Sequence, residues 1–271
     1  MVDDILAALS DRARTAVKGD HGHVLVVGGS HRYTNTPAIV ALGALRTGID
    51  LVTVAAPERS ARVVPTFALN IVSKPLPGDH LGTGHVDTVT DLAETVDVIA
   101  IGPGLGRTEG TAAAVRDILA SGIPAVIDAD AIPAVASHPG RCEGNILTPH
   151  AGEFETLTGV HPGDDTGDRE DAVTAAAAER DCTVLLKGPT DVISDGDRTA
   201  TVTAGTPAMT RGGTGDVLTG IAAAVLARTG DPFDSARAAA SLNGTAGEEA
   251  QTVHGDGFLI EEMIDSISQV L

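Results

Sequence analysis

The residues of this chain best suited to chemistry form the run Gly212-Gly213-Thr214-Gly215-Asp216, between an irregular segment and a clean helical pattern. Glycines there let successive backbone N–H groups turn toward one point, and the following helix adds the field of its N-terminus. Such a turn is suited to phosphate oxygens. A carboxylate beside a phosphate is electrostatically costly unless it has a catalytic task or caps the helix, and Asp is a good N-cap. Several glycines converging on Asp216 exceed what a cap requires, so Asp216 is a candidate for proton transfer.

Other candidates fall at the ends of aliphatic runs. Lys187 closes TVLLK, and a lysine at the carboxyl end of a buried strand can reach a nucleotide phosphate as a point charge; the ordinary alternative is a snorkelling side chain. The chain has only three lysines. Loss of Lys187 is expected to weaken nucleotide binding more than it perturbs the fold. After NILTP come His150 and Glu153: His150 could contact a ligand and Glu153 could orient a metal-bound water. The same residues also read as a helix start with a first-turn acid, and they match no metal-ligand spacing. Asp128 and Asp130 in VIDADAI could support magnesium through water, but the favoured reading is structural, with Asp130 capping a short helix from Ala131. Gly28-Gly29-Ser30 and Gly102-Pro103-Gly104-Leu105-Gly106 each follow an apolar run; the first lacks the spacing of a dinucleotide fingerprint and the second contains an obstructing Pro103. Each is either a tight β-α connection or a binding loop.

These residues need a scaffold, and the chain supplies alternating elements. Strands are predicted over 23–27, 51–55, 96–101, 124–128, 145–148 and 183–187. Helices are predicted over 37–46, near 109–120 and near 170–180, with another in GEFETLTG after His150. Alternation of this kind predicts an α/β fold with a mostly parallel sheet and helices on both faces. Beyond Lys187, DVISDGDRTATVTAG reads as a hairpin around Asp195-Gly196-Asp197, followed by helices over 217–228, 235–251 and 259–271. No linker or internal repeat divides the 271 residues, which read as a single domain.

Composition narrows the function. Apolar residues are 42% of the chain, Trp is absent and aromatics are 2%, so the core must be built from small aliphatic side chains. The 37 acidic against 18 basic residues give a formal charge of −19, which disfavours nucleic acid and anionic membrane as partners. Dispersed carboxylates with few lysines resemble proteins of salt-accumulating, halophilic cells. Cys142 and Cys182 form no C-x-x-C pair and suggest neither zinc nor redox chemistry. Two reduced, partly buried thiols in a cytoplasmic protein is the expectation. The N-terminal segment has helical spacing instead of a signal peptide's apolar run, and no segment is long enough to span a membrane.

Taken in order, GGS…Y, GPGLG, DADA, NILTPHAGEF, LLKG and GGTGDVLTG resemble the ADP-dependent NAD(P)H-hydrate dehydratase family, a branch of the ribokinase-like fold. The resemblance runs from about residue 20 to 270. It implies repair of hydrated NADH or NADPH, S epimer, with ADP as co-substrate and Mg2+ as cofactor: the ring hydroxyl is phosphorylated and phosphate is then lost. It also implies roles. Asp216 would take the hydroxyl proton, and Thr36, Gly104 and His150 would line the hydrated nicotinamide site. Lys187, Gly188, Pro189, Thr190 and Asp191, with Gly212, Gly213, Thr214 and Gly215, would hold the nucleotide. Asn35 and Thr36 stand where the family has glycine and alanine, and Thr206 to Arg211 differ from its usual NPGMAT. A homo-oligomer, a tetramer by resemblance, is implied. With residues 1–22 ahead of the first strand, the epimerase domain of bifunctional relatives is not expected. Two other readings compete: a ribokinase-like kinase that releases a phosphorylated hydroxyalkyl heterocycle, and a nucleotide-binding regulatory module without turnover.

Overall fold

Strands form where the aliphatic runs are unbroken. HVLVV, VIAI, AVI and TVLL become strands buried on both faces, the situation of a sheet covered by helices on each side. The computed structural model describes residues 2–137 and 142–271. The first half runs α1 (Val2–Ser10), β1 (His23–Val27), α2 (Thr36–Arg46), β2 (Leu51–Pro57), α3 (Glu58–Val63), β3 (Ile71–Leu76), α4 (Val86–Ala93), β4 (Val98–Ile101) and α5 (Glu109–Leu119). The middle runs β5 (Ala125–Ile127), α6 (Ile132–Ala136), β6 (Ile146–Leu147), α7 (Ala151–Thr158), α8 (Thr166–Arg180) and β7 (Thr183–Leu186). The hairpin β8 (Asp191–Ser194) and β9 (Thr199–Val202) follows, then α9 (Thr214–Thr229), α10 (Pro232–His254) and α11 (Ile260–Val270).

Among the described residues nine strands join one sheet in the order β3-β2-β1-β4-β5-β6-β7-β8-β9. The pairs from β3 to β7 are parallel, and the hairpin adds two antiparallel strands at one edge. Winding reverses between β1 and β4, where ligands bind in open α/β sheets. Alternation along β1 serves two cores: Val24 and Val26 face the side covered by α2, α9, α10 and α11, while Leu25 and Val27 face the side covered by α4, α5 and α8. Cys142 and Cys182 are buried thiols that form no disulfide.

The sequence reading misses β3, α3 and α4. β3 carries Lys74 and Pro75 and buries only Ile71 and Leu76, as suits an edge strand. The helix predicted from 217 begins three residues earlier, at Thr214, which places Asp216 inside its first turn. Small residues fix where that helix points. A Cβ on Gly220 would lie 2.1 Å from the Val40 carbonyl oxygen, and one on Gly43 would lie 2.9 Å from that of Val217. The backbones of α2 and α9 therefore touch, and α9 presents its N-terminus to the carboxyl ends of the strands.

Candidate active site

Five neighbouring parallel strands end side by side along one edge of the sheet. Gly28, Gly102, Asp128, Thr148 and Lys187 immediately follow β1, β4, β5, β6 and β7. The Gly29 N–H donates to the Pro103 carbonyl at 2.9 Å, so the two glycine turns flanking the switch point are one structure. Gly102 has to be glycine, since a Cβ there would lie 1.8 Å from the Asp128 carbonyl oxygen. Gly104, at φ 71°, packs against Thr36: its Cβ would stand 3.1 Å from that of Thr36 and 2.9 Å from that of Tyr33. Thr36 and Gly104 are thus brought together.

The structural reading of Asp128 and Asp130 holds, but the capping expected of Asp130 does not form. Neither caps the short helix that follows: the Asp128 side chain makes no capping bond, and Ala129 turns through a left-handed φ of 50° to send the two carboxylates to different partners. Asp130 accepts from the Gly106 N–H at 2.9 Å and from Arg107 at 2.9 Å, bracing the GPGLG loop. Asp128 is 2% exposed and receives Lys187 Nζ at 2.8 Å and the Thr219 hydroxyl at 2.9 Å. Thr219 also donates to the Gly215 carbonyl at 3.0 Å, which ties the first turn of α9 to β5.

Lys187 does not snorkel. Its ammonium faces Asp128 and, at 3.7 Å, Glu153. Burial opposes its charge, yet Asp128 and Glu153 outweigh that cost and raise its pKa above the ordinary lysine value. A Cβ on Gly215 would lie 3.4 Å from Lys187 Nζ, so the lysine and the glycine turn border the same space. The segment after Lys187 is shaped by Asp191, which accepts from the Gly188 N–H at 2.8 Å; burial pushes its pKa up to about 6. Arg169 of α8, which sequence reasoning missed, donates to the Lys187 and Thr190 carbonyls at 3.4 and 3.3 Å. Nothing in its polar helix distinguishes it from its neighbours; only folding places it there. Pro189 is exposed between them.

His150 caps α7. Its Nδ1 accepts from the N–H groups of Gly152 and Glu153, and its own N–H donates to Glu153 Oε2 at 2.9 Å. The imidazole is 59% exposed, and its Nε2 faces Glu153 Oε1 at 3.3 Å.

In the glycine turn, Gly213 is the N-cap of α9 at φ 102° and Gly212 is exposed. The Thr214 hydroxyl is committed to the Met209 and Arg211 carbonyls, which leaves its N–H for an anion. The preceding loop is anchored by Arg211, which donates to the Phe258 and Asp256 carbonyls and stacks 4.2 Å from the Phe258 ring. Asp216 sits at the third helical position, half-buried, and accepts no hydrogen bond among the described residues. It is no cap. Burial, then the charge of Asp128, push its pKa up to about 7 against the pull of Lys187. A carboxylate of that pKa can take a proton at neutral pH and return it.

A profile of the NAD(P)H-hydrate dehydratase family matches residues 24–269 and so spans all of these elements. The chain belongs to the NAD(P)H-hydrate dehydratase family. It is 43% identical over 256 residues to the ADP-dependent (S)-NAD(P)H-hydrate dehydratase of Cenarchaeum symbiosum, covering 93% of this chain and 89% of that one. It is 46% identical over 264 residues to the bifunctional NAD(P)H-hydrate repair enzyme of Pyrobaculum aerophilum, covering 96% of this chain and 52% of the relative. The chain thus spans about half the length of that and other bifunctional relatives. Among solved structures it resembles the Bacillus subtilis ADP/ATP-dependent NAD(P)H-hydrate dehydratase co-crystallised with ATP and Mg2+, at TM-score 0.85 and 29% identity, covering 100% and 96% of the two chains. A ribokinase-like protein of Enterococcus faecalis shares the fold at TM-score 0.85 and 22% identity, with 98% and 93% covered. The ribokinase-like architecture expected of the dehydratase family is therefore the one observed.

Proposed function

We propose that the chain carries out ADP-dependent dehydration of the S epimer of hydrated NADH or NADPH, returning the reduced cofactor. The observation that carries this reading is Asp216, uncapped and half-buried beside the glycine turn with its pKa pushed up to about 7, in a chain of this family. Hydroxide is a poor leaving group, so the ring hydroxyl is first converted to a phosphate ester. Asp216 takes the hydroxyl proton while that oxygen attacks the β-phosphorus of ADP and AMP leaves. Phosphate then departs with the C–O bonding pair, and a proton lost from the adjacent ring carbon restores the double bond.

The remaining residues position and stabilise. The N–H groups of Gly213, Thr214 and Gly215 receive the transferring phosphate, and Lys187, steadied by Asp128, offers it a fixed cation. The loop from Gly188 to Asp191 takes the rest of the nucleotide, and Thr36, Gly104 and His150 border the hydrated ring. Among the described residues no group of three or more His, Cys, Asp or Glu is arranged to hold a metal ion. Carboxylates with a single lysine fit Mg2+ carried in on nucleotide phosphates and water, with Glu153 reaching it through water; when bound, the ion neutralises phosphate charge. No helix among the described residues is long and apolar enough to cross a membrane. The charge of −19 supports a protein working in concentrated salt.

The test is to supply chemically hydrated NADH with Mg2+ and ADP, then follow reduced-nicotinamide absorbance and phosphate release together. Both should rise in equal amounts. Accumulation of a stable phosphorylated product would instead identify a small-molecule kinase.

A further inference from the structure

The aligned strand ends act as a ruler. Gly215 and Lys187 lie at the β7 end, Gly104 follows β4, and beyond it come the ends of β1 and then β2. Two strand spacings, about 10 Å, separate the β4 end from the β2 end. That is the direction left for the half of a dinucleotide that carries the phosphates and adenosine, once its nicotinamide ring sits at Gly104.

The segments after β1, β2 and β3 are locked together. The Ser60 hydroxyl donates to the Ser30 carbonyl at 3.2 Å, and the His31 N–H donates to the Asp79 carbonyl at 2.8 Å. Arg59, just past β2, places Nη1 3.2 Å from His31 Nε2, while His31 Nδ1 stands 3.3 Å from Asp79 Oδ1. A guanidinium only donates, so Nε2 accepts from Arg59 and Nδ1 carries the proton toward Asp79. Three side chains in series therefore aim Arg59. Next to this chain Arg32 lies over the Tyr33 ring, 5.3 Å from its centroid.

Neither Arg32 nor Arg59 has a carboxylate within ion-pair distance among the described residues, although acids outnumber bases 37 to 18. Elsewhere Arg12, Arg46, Arg62, Arg107 and Arg198 all pair with Asp or Glu. Two exposed, unneutralised arginines, one of them held in place by a hydrogen-bonded chain, stand past the carboxyl ends of β1 and β2 in an otherwise acidic protein. This arrangement is suited to a phosphate group, because remaining guanidinium donors can meet its oxygens in pairs.

We propose that Arg59, aimed by Asp79 and His31, forms with Arg32 a phosphate subsite for the part of the hydrated dinucleotide remote from the nicotinamide ring. The inference rests on the substrate reading above. Its ligand is either the diphosphate bridge or a 2′-phosphate.

The test compares wild type and Arg59→Ala on hydrated NADH, hydrated NADPH and hydrated dihydronicotinamide riboside, which has no phosphate. Arg59→Ala should raise KM for a hydrated dinucleotide about tenfold with kcat kept, as for loss of a charge-assisted contact made equally in ground and transition states. KM for the riboside should not move. An equal rise for both dinucleotides assigns the diphosphate, and a rise confined to NADPH hydrate assigns the 2′-phosphate. Unchanged KM for both dinucleotides, or an equal rise for the riboside, would overturn the proposal. A second measurement needs no turnover: inorganic pyrophosphate titrated calorimetrically into the ADP-saturated protein should bind wild type more tightly than Arg59→Ala, and equal affinity would overturn the subsite. Should wild type turn over no hydrate while pyrophosphate binding still depends on Arg59, the assigned reaction fails and the subsite stands.

Discussion

Lys187 Nζ lies 2.8 Å from Oδ1 of Asp128, a carboxylate that is only 2% exposed. The lysine is therefore tied into the fold, so its loss is expected to cost stability as well as the proposed nucleotide contact. Removing one partner of a buried pair leaves the other charge uncompensated, a cost of about 3 kcal/mol. Lys187→Met should lower the urea midpoint accordingly, and adding Asp128→Asn should recover most of the loss. If Lys187→Met unfolds at the wild-type midpoint, Asp128 does not depend on the lysine.

The Asp216 pKa of about 7, against an ordinary 3.8, has two consequences with a definite sign. The folded state binds this proton more tightly than the unfolded chain. The stabilisation is complete below the unfolded value and is lost as pH rises through the folded value, between about 4 and 7. Asp216→Asn should therefore raise the thermal midpoint at pH 8 and leave it nearly unchanged at pH 4. An equal effect at both pH values would mean that the carboxylate's charge is not the cause.

With Asp216 as the proposed base, the same titration should govern rate. A base must be ionised to work, so kcat/KM, which reports groups of the free enzyme, should fall on the acid side with an apparent pKa near 7. A flat profile down to pH 5 would remove Asp216 as the titrating base.

Much of this was legible in the sequence, for identifiable reasons. β1, β4, β5 and β7 lie in the sheet interior and read as unbroken aliphatic runs, and GGTGD announced its turn because few other structures need those glycines. β3 was not legible, since an edge strand bearing Lys74 and Pro75 buries too little to leave a pattern. Asp130 reads as a cap because a strand-end acid before a short helix looks like one, and the partners of Asp128 leave no mark in the sequence. Those partners are Lys187, 59 residues away, and Thr219, 91 residues away. Arg169 was invisible because it binds two carbonyls, and carbonyls have no sequence signature.

Close contact between α2 and α9 aims the anion turn, and two glycines separate this effect from local damage. Gly220→Ala would drive a methyl to 2.1 Å from the Val40 carbonyl oxygen, whereas a Cβ on Gly212 meets nothing within 4 Å. Gly220→Ala should cost about 1–3 kcal/mol of stability, as overpacking does, and reduce turnover as α9 shifts. Gly212→Ala should leave stability near wild type. Equal midpoints for the two variants would show that α2 and α9 can part without cost.

The formal charge of −19 predicts dependence on salt. Screening shortens from about 10 Å at 0.1 M to about 3 Å at 1 M ionic strength, which relieves repulsion among the surface carboxylates. The thermal midpoint should rise steadily from dilute buffer to molar KCl. An unchanged midpoint would remove the inference of a high-salt habitat.

The most direct test of the central claim is phosphate release from hydrated NADH and ADP by Asp216→Asn, with ADP affinity measured on the same protein. The amide keeps the size of the side chain but is hardly basic, and a lost general base costs about 10²–10⁴ in rate. Turnover should fall at least a hundredfold, the lower end of that range, while ADP binds as tightly as to wild type or more so, because a negative charge has left the phosphate site. Retention of more than about half the activity, where a lost base predicts a hundredth or less, would contradict the assignment of Asp216 as the base.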